Sequence, residues 1–268
     1  MSAQPLSIKH DLHCHSNLSL CSNDPNCTPE AVYQLALANG YDTICLTDHL
    51  WDEEVPGPNG FYRVQGIDHV LQGKSTACLE GIRCLHGCET DYGCGGRLGL
   101  TKEHFDLFDF VVIPPNHMHF KGMIRPLDVT TPEQMAELFT CRLEEISQLD
   151  IPMEKVGIAH LTCSLLYSEG DIFDVIPLMD GKRLRIAFER FASRGAGIEL
   201  NAFSFKRMDE NPEACLRLYR IAKQAGCKFY CSSDAHSIEE YAMIEKELPR
   251  VIDILGLTEE DRYIIPTR

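Results

Sequence analysis

Short apolar, β-branched runs alternate along the chain with longer amphipathic stretches. The runs are continuous in hydrophobic character, which is typical of parallel strands buried on both faces. Seven of them predict strands, at Ser7–Leu12, Tyr41–Thr47, Arg83–Cys88, Phe110–Ile113, Val156–Ala159, Gly197–Ala202 and Lys228–Ser232. Three stretches between them predict helices, each with an N-cap Thr or Asn before a proline, at Pro29–Asn39, Pro132–Gln148 and Pro212–Ala225.

The order of strands and helices predicts an α/β fold with right-handed crossovers. Seven strands are one fewer than a regular TIM-type barrel has, so we predict a distorted (β/α)7 barrel. No internal repeat or low-complexity segment divides the chain, and residues 1–268 are expected to form a single domain. The Gly- and Pro-rich segment Leu50–Gly66 predicts a long loop over the site, with Trp51, Phe61 and Tyr62 exposed.

Composition narrows the classes of partner. The chain of 268 residues has 25 basic and 40 acidic residues and a net charge of −15, which disfavours binding to long nucleic acid and permits a small phosphorylated substrate. No secretory leader and no membrane-spanning stretch is recognisable, so we expect a cytoplasmic protein that does not bind membranes. The 13 cysteines fall largely in apolar runs and are expected to be reduced thiols. The sequence makes no prediction about the oligomeric state.

Histidine and carboxylate residues follow the predicted strands, one strand after another. They are His13, His15, Asp48, His49, Glu89, His117, His160, Asp234 and His236. Because the carboxyl ends of barrel strands meet at one rim, these side chains are expected to form a metal site. Imidazole and carboxylate ligands suit Zn, Mn or Fe, and two ions about 3.5–4 Å apart would hold a bridging hydroxide and a phosphate oxygen. The alternative is a set of structural polar residues at a barrel rim.

Motifs for other enzyme classes are missing from the sequence. It contains no Gly-rich phosphate loop, no Gly-x-Ser-x-Gly elbow and no dinucleotide fingerprint, so a kinase, a serine hydrolase or a dehydrogenase has no support. His10, His69, His86 and His104 do not follow strand ends and are expected to be structural or solvated.

The strand-end motifs, in this order, resemble those of the PHP (polymerase and histidinol phosphatase) family. They are Asp11-Leu12-His13-Cys14-His15-Ser16, Thr47-Asp48-His49, Gly87-Cys88-Glu89, Ile158-Ala159-His160 and Ser233-Asp234-Ala235-His236. The resemblance implies a distorted seven-stranded barrel and a phosphoesterase site with two or three divalent ions (Zn, Mn or Fe). It also implies the ligand sets: His13, His15, Glu89 and Asp234 for one metal, Glu89, His117 and His160 for a second, and His49 and His236 with one more ligand for a third.

Two positions depart from the family pattern. Where the family has a histidine or an aspartate as the additional third-metal ligand, this chain has Cys21 and Leu20. Cys21 as a thiolate or Asp24 could replace that ligand, or the third ion could be weakly bound or absent. The pair His117 and His119 offers two candidates where the family has one; we favour His117 as the ligand and His119 as a substrate contact.

The resemblance also suggests roles around the metals. Arg207 is the favoured contact for the phosphate, with Lys206, Lys121 and Arg63 as alternatives, although any of them could be a solvated loop cation. Asp48 would orient His49 or a metal-bound water, and His236 or a metal-bound water would protonate the leaving oxygen. The predicted function is hydrolysis of a small phosphate monoester by a metal-bound hydroxide. The alternatives are a histidinol-phosphate phosphatase proper, a phosphodiesterase or short-nucleotide hydrolase, and a metal-binding regulatory module without turnover.

Overall fold

Parallel strands alternate with helices in the computed structural model, which describes residues 4–266. The strands in this range are β1 (His10–Cys14), β2 (Thr43–Leu46), β3 (Arg83–His86), β4 (Cys88–Glu89), β5 (Tyr92–Gly93), β6 (Arg97–Leu98), β7 (Val111–Ile113), β8 (Val156–Ile158), β9 (Gly197–Asn201) and β10 (Lys228–Ser232). The α-helices in this range are α1 (Pro29–Ala38), α2 (Ile67–Val70), α3 (Pro132–Ile146), α4 (Ile172–Val175), α5 (Gly181–Ser193), α6 (Pro212–Gln224) and α7 (Met243–Leu255). The predicted α/β class is confirmed.

Two parallel sheets and one hairpin organise these strands. One sheet has the order β1-β2-β3, the other has the order β10-β9-β8-β7-β4, and β5 pairs with β6 in an antiparallel hairpin. Only Gly87 separates β3 from β4, and the backbone N–H of Cys88 donates to the carbonyl oxygen of Phe110 at 3.1 Å. On the other side, the N–H of Asp234 donates to the carbonyl of His13 at 2.9 Å, and the N–H of His15 donates to that of Ala235 at 2.9 Å. Both edges of the two sheets are therefore in contact.

The three predicted helices are present, and each begins at the predicted proline. Thr28, Thr131 and Asn211 accept hydrogen bonds from backbone N–H groups of the first turn, as N-cap residues do. The longer helices α5 and α7 were not predicted. Helix α5 begins at Gly181, and α7 contains Pro249 in its interior, and both residues weaken a helical pattern.

The prediction that Trp51 and Tyr62 are exposed is wrong. Both side chains are buried, because they pack with Val55 and Ile124 in a small apolar cluster beneath the loop. The indole N–H of Trp51 donates to the carbonyl of Val55 at 2.8 Å, and the hydroxyl of Tyr62 donates to Asp91 at 2.6 Å. Only Phe61 of the three aromatic residues is partly exposed.

Among residues 4–266, no helix has both the length and the apolar character needed to cross a bilayer. The thirteen cysteines are all free thiols, and seven of them are buried.

Candidate metal centre

Glu89, at the end of β4, lies between two groups of imidazoles. Its Oε2 is 3.5 Å from Nε2 of His13 and 3.4 Å from Nε2 of His15. Its Oε1 is 3.6 Å from Nε2 of His160 and 3.7 Å from Nε2 of His117. The two oxygens of one buried carboxylate thus face two separate pairs of nitrogen donors.

Asp234, just after β10, is a second carboxylate that lies close to imidazoles of both groups. Its Oδ1 lies 3.3 Å from Nε2 of His15 and 3.6 Å from Nε2 of His13, and its Oδ2 lies 3.2 Å from Nε2 of His160. These separations lie at or above the upper limit of normal hydrogen bonds, and they leave the ligand atoms facing a common space.

The backbone holds two of these side chains in an unfavourable conformation. His160 and Asp234 have φ angles of 55° and 53°, and no other non-glycine residue among 4–266 has a positive φ. Such left-handed conformations cost roughly 1–2 kcal/mol for a residue with a Cβ. Strain of this kind is typical of functional positions, and here it occurs just after β8 and just after β10, the two strands that flank β9 in the sheet.

The donor atoms of this cluster lack the partners that buried polar atoms normally have. Both carboxylate oxygens of Glu89, both ring nitrogens of His160 and Nδ1 of His49 are buried without a hydrogen bond. Nδ1 of His49 is 2.9 Å from Oε2 of Glu89, but the geometry is not that of a hydrogen bond. Buried unpartnered groups are costly, and imidazole nitrogens around carboxylates are the ligands of divalent transition ions. The residues therefore fit bound metal.

Within residues 4–266, four overlapping groups have ligand atoms that all lie within 4.8 Å of one another. They are His13/His15/Asp234, Glu89/His117/His160, His15/His49/His236 and His13/His160/Glu199. The first contains three of the four residues expected for one ion, all but Glu89, the second has the three expected for another ion, and the third places His15 beside His49 and His236. Asp24, one candidate for that place, instead accepts hydrogen bonds from the backbone N–H groups of Asn26 and Ile238, at 2.9 and 3.3 Å. The other candidate, Cys21, lines the cavity described below.

Glu199, on β9, holds two of the candidate ligands, although sequence analysis did not identify it as a site residue. Nδ1 of His13 donates to its Oε1 at 2.6 Å, and the backbone N–H of His160 donates to its Oε2 at 2.7 Å. The hydroxyl of Ser232 also donates to Oε1, at 2.7 Å. The signal that could have revealed Glu199 is a charged residue inside the otherwise apolar run Gly197–Ala202.

Other partners fix the remaining rings. Nδ1 of His15 lies 2.9 Å from the hydroxyl of Ser19, Nδ1 of His117 lies 3.1 Å from Asp91, and the amide of Asn201 donates to Asp234 at 3.1 Å. The contacts of His15 and His117 select the tautomer that leaves the other ring nitrogen free for a metal, and the contact of Asn201 orients the carboxylate of Asp234.

Asp48 acts on a different neighbour from the one expected. Its carboxylate accepts hydrogen bonds from the backbone and hydroxyl of Ser16, both at 2.8 Å, and from the hydroxyl of Ser19 at 2.7 Å. It therefore reaches His15 through Ser19 and does not orient the ring of His49, because two serines from the β1–α1 loop occupy its oxygens.

Electrostatic interactions keep the two carboxylates of the cluster ionised and the ring of His236 neutral, which are the states in which these groups bind metal. Burial alone would raise the pKa of Glu89, but the charges of His49 and His13 outweigh it and hold the pKa well below its usual value. Burial likewise opposes ionisation of Asp234, and His160 and His13 lower its pKa well below the usual value. Burial, together with the adjacent His15, lowers the pKa of His236 to about 3, which leaves its ring neutral.

A cavity of about 290 Å³ opens onto this cluster. Its lining consists of Cys21, His49, Phe61, Glu89, His117, His119, Phe120, His160, Leu165, Asp234 and His236. Of the five predicted substrate contacts, His119 is therefore the one that the structure brings to the cavity.

The four predicted cationic contacts do not line the cavity. Arg207 pairs with Asp171 at 2.8 Å and with Glu210 at 2.6 Å, and Lys121 pairs with Glu169 at 2.5 Å. The ammonium of Lys206 lies 3.6 Å from the centre of the Phe203 ring, and Arg63 is exposed. Carboxylates outside the cavity hold the guanidinium of Arg207, so that the structure gives its predicted phosphate contact no support and the contact stays a prediction.

A pattern of histidines and carboxylates at strand ends is shared by members of a known protein family. The model of the PHP domain matches residues 11–203, and the chain belongs to the PHP family. No sequence among the curated proteins matches it significantly.

One solved structure shares its fold, and another aligns with most of the chain. A histidinol phosphate phosphatase from Lactococcus lactis, complexed with zinc, L-histidinol and phosphate, is 16% identical, with 95% of this chain and 98% of that chain covered and a TM-score of 0.61. A structure reported for YwqE from Bacillus subtilis and CpsB from Streptococcus pneumoniae, described as metal-dependent tyrosine phosphatases, is 16% identical, with coverages of 95% and 96% and a TM-score of 0.41. At 16% sequence identity, the similarity to the Lactococcus protein shows a common fold and nothing further.

Proposed function

We propose that the protein is a metal-dependent phosphoesterase that hydrolyses a small phosphate monoester. The observation that supports it best is Glu89, whose two oxygens face His13 and His15 on one side and His117 and His160 on the other. A shared carboxylate lowers the repulsion between two neighbouring cations, which is the arrangement of two-metal phosphoesterases. We propose two such ions of Zn, Mn or Fe, with His15, His49 and His236 as the candidate group for a third.

Bound divalent ions would supply a nucleophile from water and would neutralise charge on the phosphate. The residues of this chain would hold the ions and orient the side chains that bind them. Glu199 keeps Nδ1 of His13 protonated, so that Nε2 of the same ring carries the free electron pair. Asp91 does the same for His117. His236 lines the cavity, and its neutral ring leaves Nε2 free to bind metal, because Nδ1 donates to the carbonyl oxygen of Asp234.

The experiment is a hydrolysis assay with p-nitrophenyl phosphate and bis(p-nitrophenyl) phosphate in the presence of Mn, Zn or Fe. We expect turnover of the monoester, and its loss by about 1,000-fold or more in His13→Ala and in Asp234→Asn. His104→Gln and Asp209→Asn are matched controls, since His104 bonds Asp52 and Asp209 pairs with Arg250, outside the cavity. Turnover of the bis-ester alone would replace the proposal with a phosphodiesterase, and full activity in metal-stripped protein would contradict it.

We also propose that residues 1–268 form one domain in which the two sheets close into a distorted seven-stranded barrel. Two observations support closure: the backbone hydrogen bonds between the ends of β1 and β10, and the single residue between β3 and β4. Side chains of six strands or strand ends also share one inner apolar cluster: Leu12, Cys45, Leu85, Phe110, Val112, Ala159 and Tyr230, with Tyr263 and Ile265 from the C-terminal segment. A cytoplasmic location is part of the proposal, supported by thirteen free thiols.

A further inference from the structure

Three residues of the cavity lining that are not candidate ligands form an apolar, mostly aromatic wall. Phe61 comes from the Leu50–Gly66 loop, Phe120 comes from the loop between β7 and α3, and Leu165 follows β8. The rings of Phe61 and Phe120 lie 5.4 Å apart with an interplanar angle of 34°, so that they present one continuous surface. The wall thus combines three segments that are distant in sequence.

This wall lies directly beside the candidate metal ligands. The ring of Phe61 is 5.2 Å from that of His49, and the ring of Phe120 is 6.2 Å from that of His117, both in edge-to-face arrangements. A phosphate held at the ligands would therefore place the group on its ester oxygen against Phe61 and Phe120.

The wall is also held in place from behind. Tyr62 packs against Phe61 at 5.1 Å and against Phe120 at 5.7 Å, and its hydroxyl is anchored on Asp91. The loop that carries Phe61 is therefore fixed to the same carboxylate that holds His117. A fixed aromatic surface can discriminate between substrates, because it does not rearrange to bring polar groups forward.

Charged groups are missing from this part of the cavity. Among the described residues that line it there is no lysine or arginine, and its two carboxylates, Glu89 and Asp234, both belong to the ligand cluster. An ammonium or a second acid on the alcohol part of a substrate would lose its water here without gaining an oppositely charged partner, which is unfavourable.

From this geometry we infer that the substrate is a phosphate monoester whose alcohol part is uncharged and carries an apolar ring, an aryl or arylalkyl phosphate. A volume of about 290 Å³ suits one such small molecule. The inference rests on the proposed function. In the reaction the oxygen of water forms a new bond to phosphorus, the bond from phosphorus to the ester oxygen breaks, and the alcohol leaves with a proton.

The test compares three esters that all release primary alcohols: benzyl phosphate, glycerol 3-phosphate and 2-aminoethyl phosphate. L-Histidinol phosphate, which carries an ammonium group, is the fourth substrate. We expect kcat/KM for benzyl phosphate to exceed that for each of the other three by about 30-fold, the value expected for burying one phenyl ring. Equal or higher kcat/KM for the amine esters would overturn the inference.

Variants of the two aromatic wall residues test whether the wall causes the preference for benzyl phosphate. Phe61→Ala and Phe120→Ala are each expected to lower the ratio of benzyl to 2-aminoethyl turnover by about 5-fold, because one aromatic contact is lost. Phe173→Ala is the matched control: its partly buried ring packs against the core and the guanidinium of Arg207, outside the cavity lining. An unchanged ratio in both wall variants would contradict the inference.

A binding measurement separates this inference from the proposed function. Titration calorimetry of the Mn-loaded protein with benzylphosphonic acid and 2-aminoethylphosphonic acid reports affinity without turnover. If no ester is hydrolysed, the proposed function fails, and tighter binding of benzylphosphonic acid by about 30-fold would still support the aromatic specificity. If esters are hydrolysed and the two phosphonates bind equally, the proposed function stands and the inference fails.

Discussion

At the scale of single residues, Glu199 is the side chain on which the order of the candidate metal centre depends most. It is fully buried, and its two oxygens accept from the ring of His13, the backbone of His160 and the hydroxyl of Ser232. One carboxylate thus fixes two candidate ligands from different strands.

We predict that Glu199→Gln lowers the affinity for Zn or Mn by about 10- to 100-fold while the protein stays folded. The amide keeps one accepting oxygen, but its NH2 group would face a donor in place of the other oxygen, and it cannot stabilise the His13 ring as a carboxylate does. Equilibrium dialysis with the metal ions measures the affinity. Glu189→Gln, at an exposed position that pairs with Arg185, should leave the affinity unchanged.

His10 is a buried histidine that takes no part in the candidate metal centre, as expected from its sequence position. Its Nε2 accepts the backbone N–H of Cys231 at 2.9 Å, and this requires an unprotonated nitrogen. Burial, with a contribution from Arg262, lowers its pKa to about 3. Folding therefore favours the neutral ring.

Because the pKa of His10 is lower in the folded than in the unfolded state, its contribution to stability is complete above pH 6.5 and decreases as the pH falls towards 3. Between pH 8 and pH 5 we expect a loss of about 2 kcal/mol in the free energy of unfolding from this residue. Urea titrations at both pH values measure it. In His10→Gln this share of the pH dependence should disappear, and an equal loss in the variant would rule out His10 as its source.

Single residues also differ in whether the sequence could predict their positions and contacts. The eight candidate ligands were predictable because each follows a strand, and strand ends meet at one rim. The interaction of Arg207 was not predictable in this way. Asp171, which binds it, lies 36 residues earlier in the chain, and nothing in the sequence places the two side chains together.

At the scale of elements, the junction between β3 and β4 links the two sheets. Gly87 is the junction residue, and a Cβ there would lie 2.5 Å from the carbonyl oxygen of Phe110, the same atom that pairs with the N–H of Cys88. The close approach of two backbones requires glycine at this position.

We predict that Gly87→Ala destabilises the protein by about 1–3 kcal/mol, because the strands must separate to admit the methyl group. Thermal unfolding monitored by circular dichroism measures the change. Gly60→Ala is the control, since a Cβ at Gly60 would meet no atom within 4 Å. A variant at Gly87 as stable as the control would show that the junction can adapt.

Elements differed in how well the sequence predicted them. The seven apolar runs located the strands of the parallel sheets because the runs are continuous, but the run predicted as one strand, Arg83–Cys88, is divided at Gly87 into β3 and β4. The β5–β6 hairpin was missed because each of its strands has two residues, too few to show a period. Burial of Trp51 and Tyr62 was missed because their packing partner Ile124 comes from a loop some 60 residues further along the chain.

At the scale of the whole molecule, the candidate metal centre joins both parallel sheets. Its side chains follow β1 and β2 of one sheet and β4, β7, β8 and β10 of the other. An ion bound by them would bind the folded chain and not the unfolded one, so metal binding and folding are linked.

We predict that adding Zn or Mn at about 100 times its dissociation constant raises the Tm of chelator-treated protein by about 5 °C. Differential scanning fluorimetry measures the shift. Asp234→Asn removes one charged ligand and should show a smaller shift, whereas Asp209→Asn should match the wild type. An identical shift in all three proteins would indicate that the metal binds elsewhere.

The left-handed backbone at His160 and Asp234 has a consequence for how this chain can change. Glycine at either position would relieve the torsional cost and remove a metal-binding group in the same step. Selection for thermostability and selection for turnover thus oppose each other at these two codons. A related protein that no longer needs to bind metal would gain stability by replacing His160 or Asp234 with glycine. Such a replacement would indicate that the metal-dependent activity had been lost.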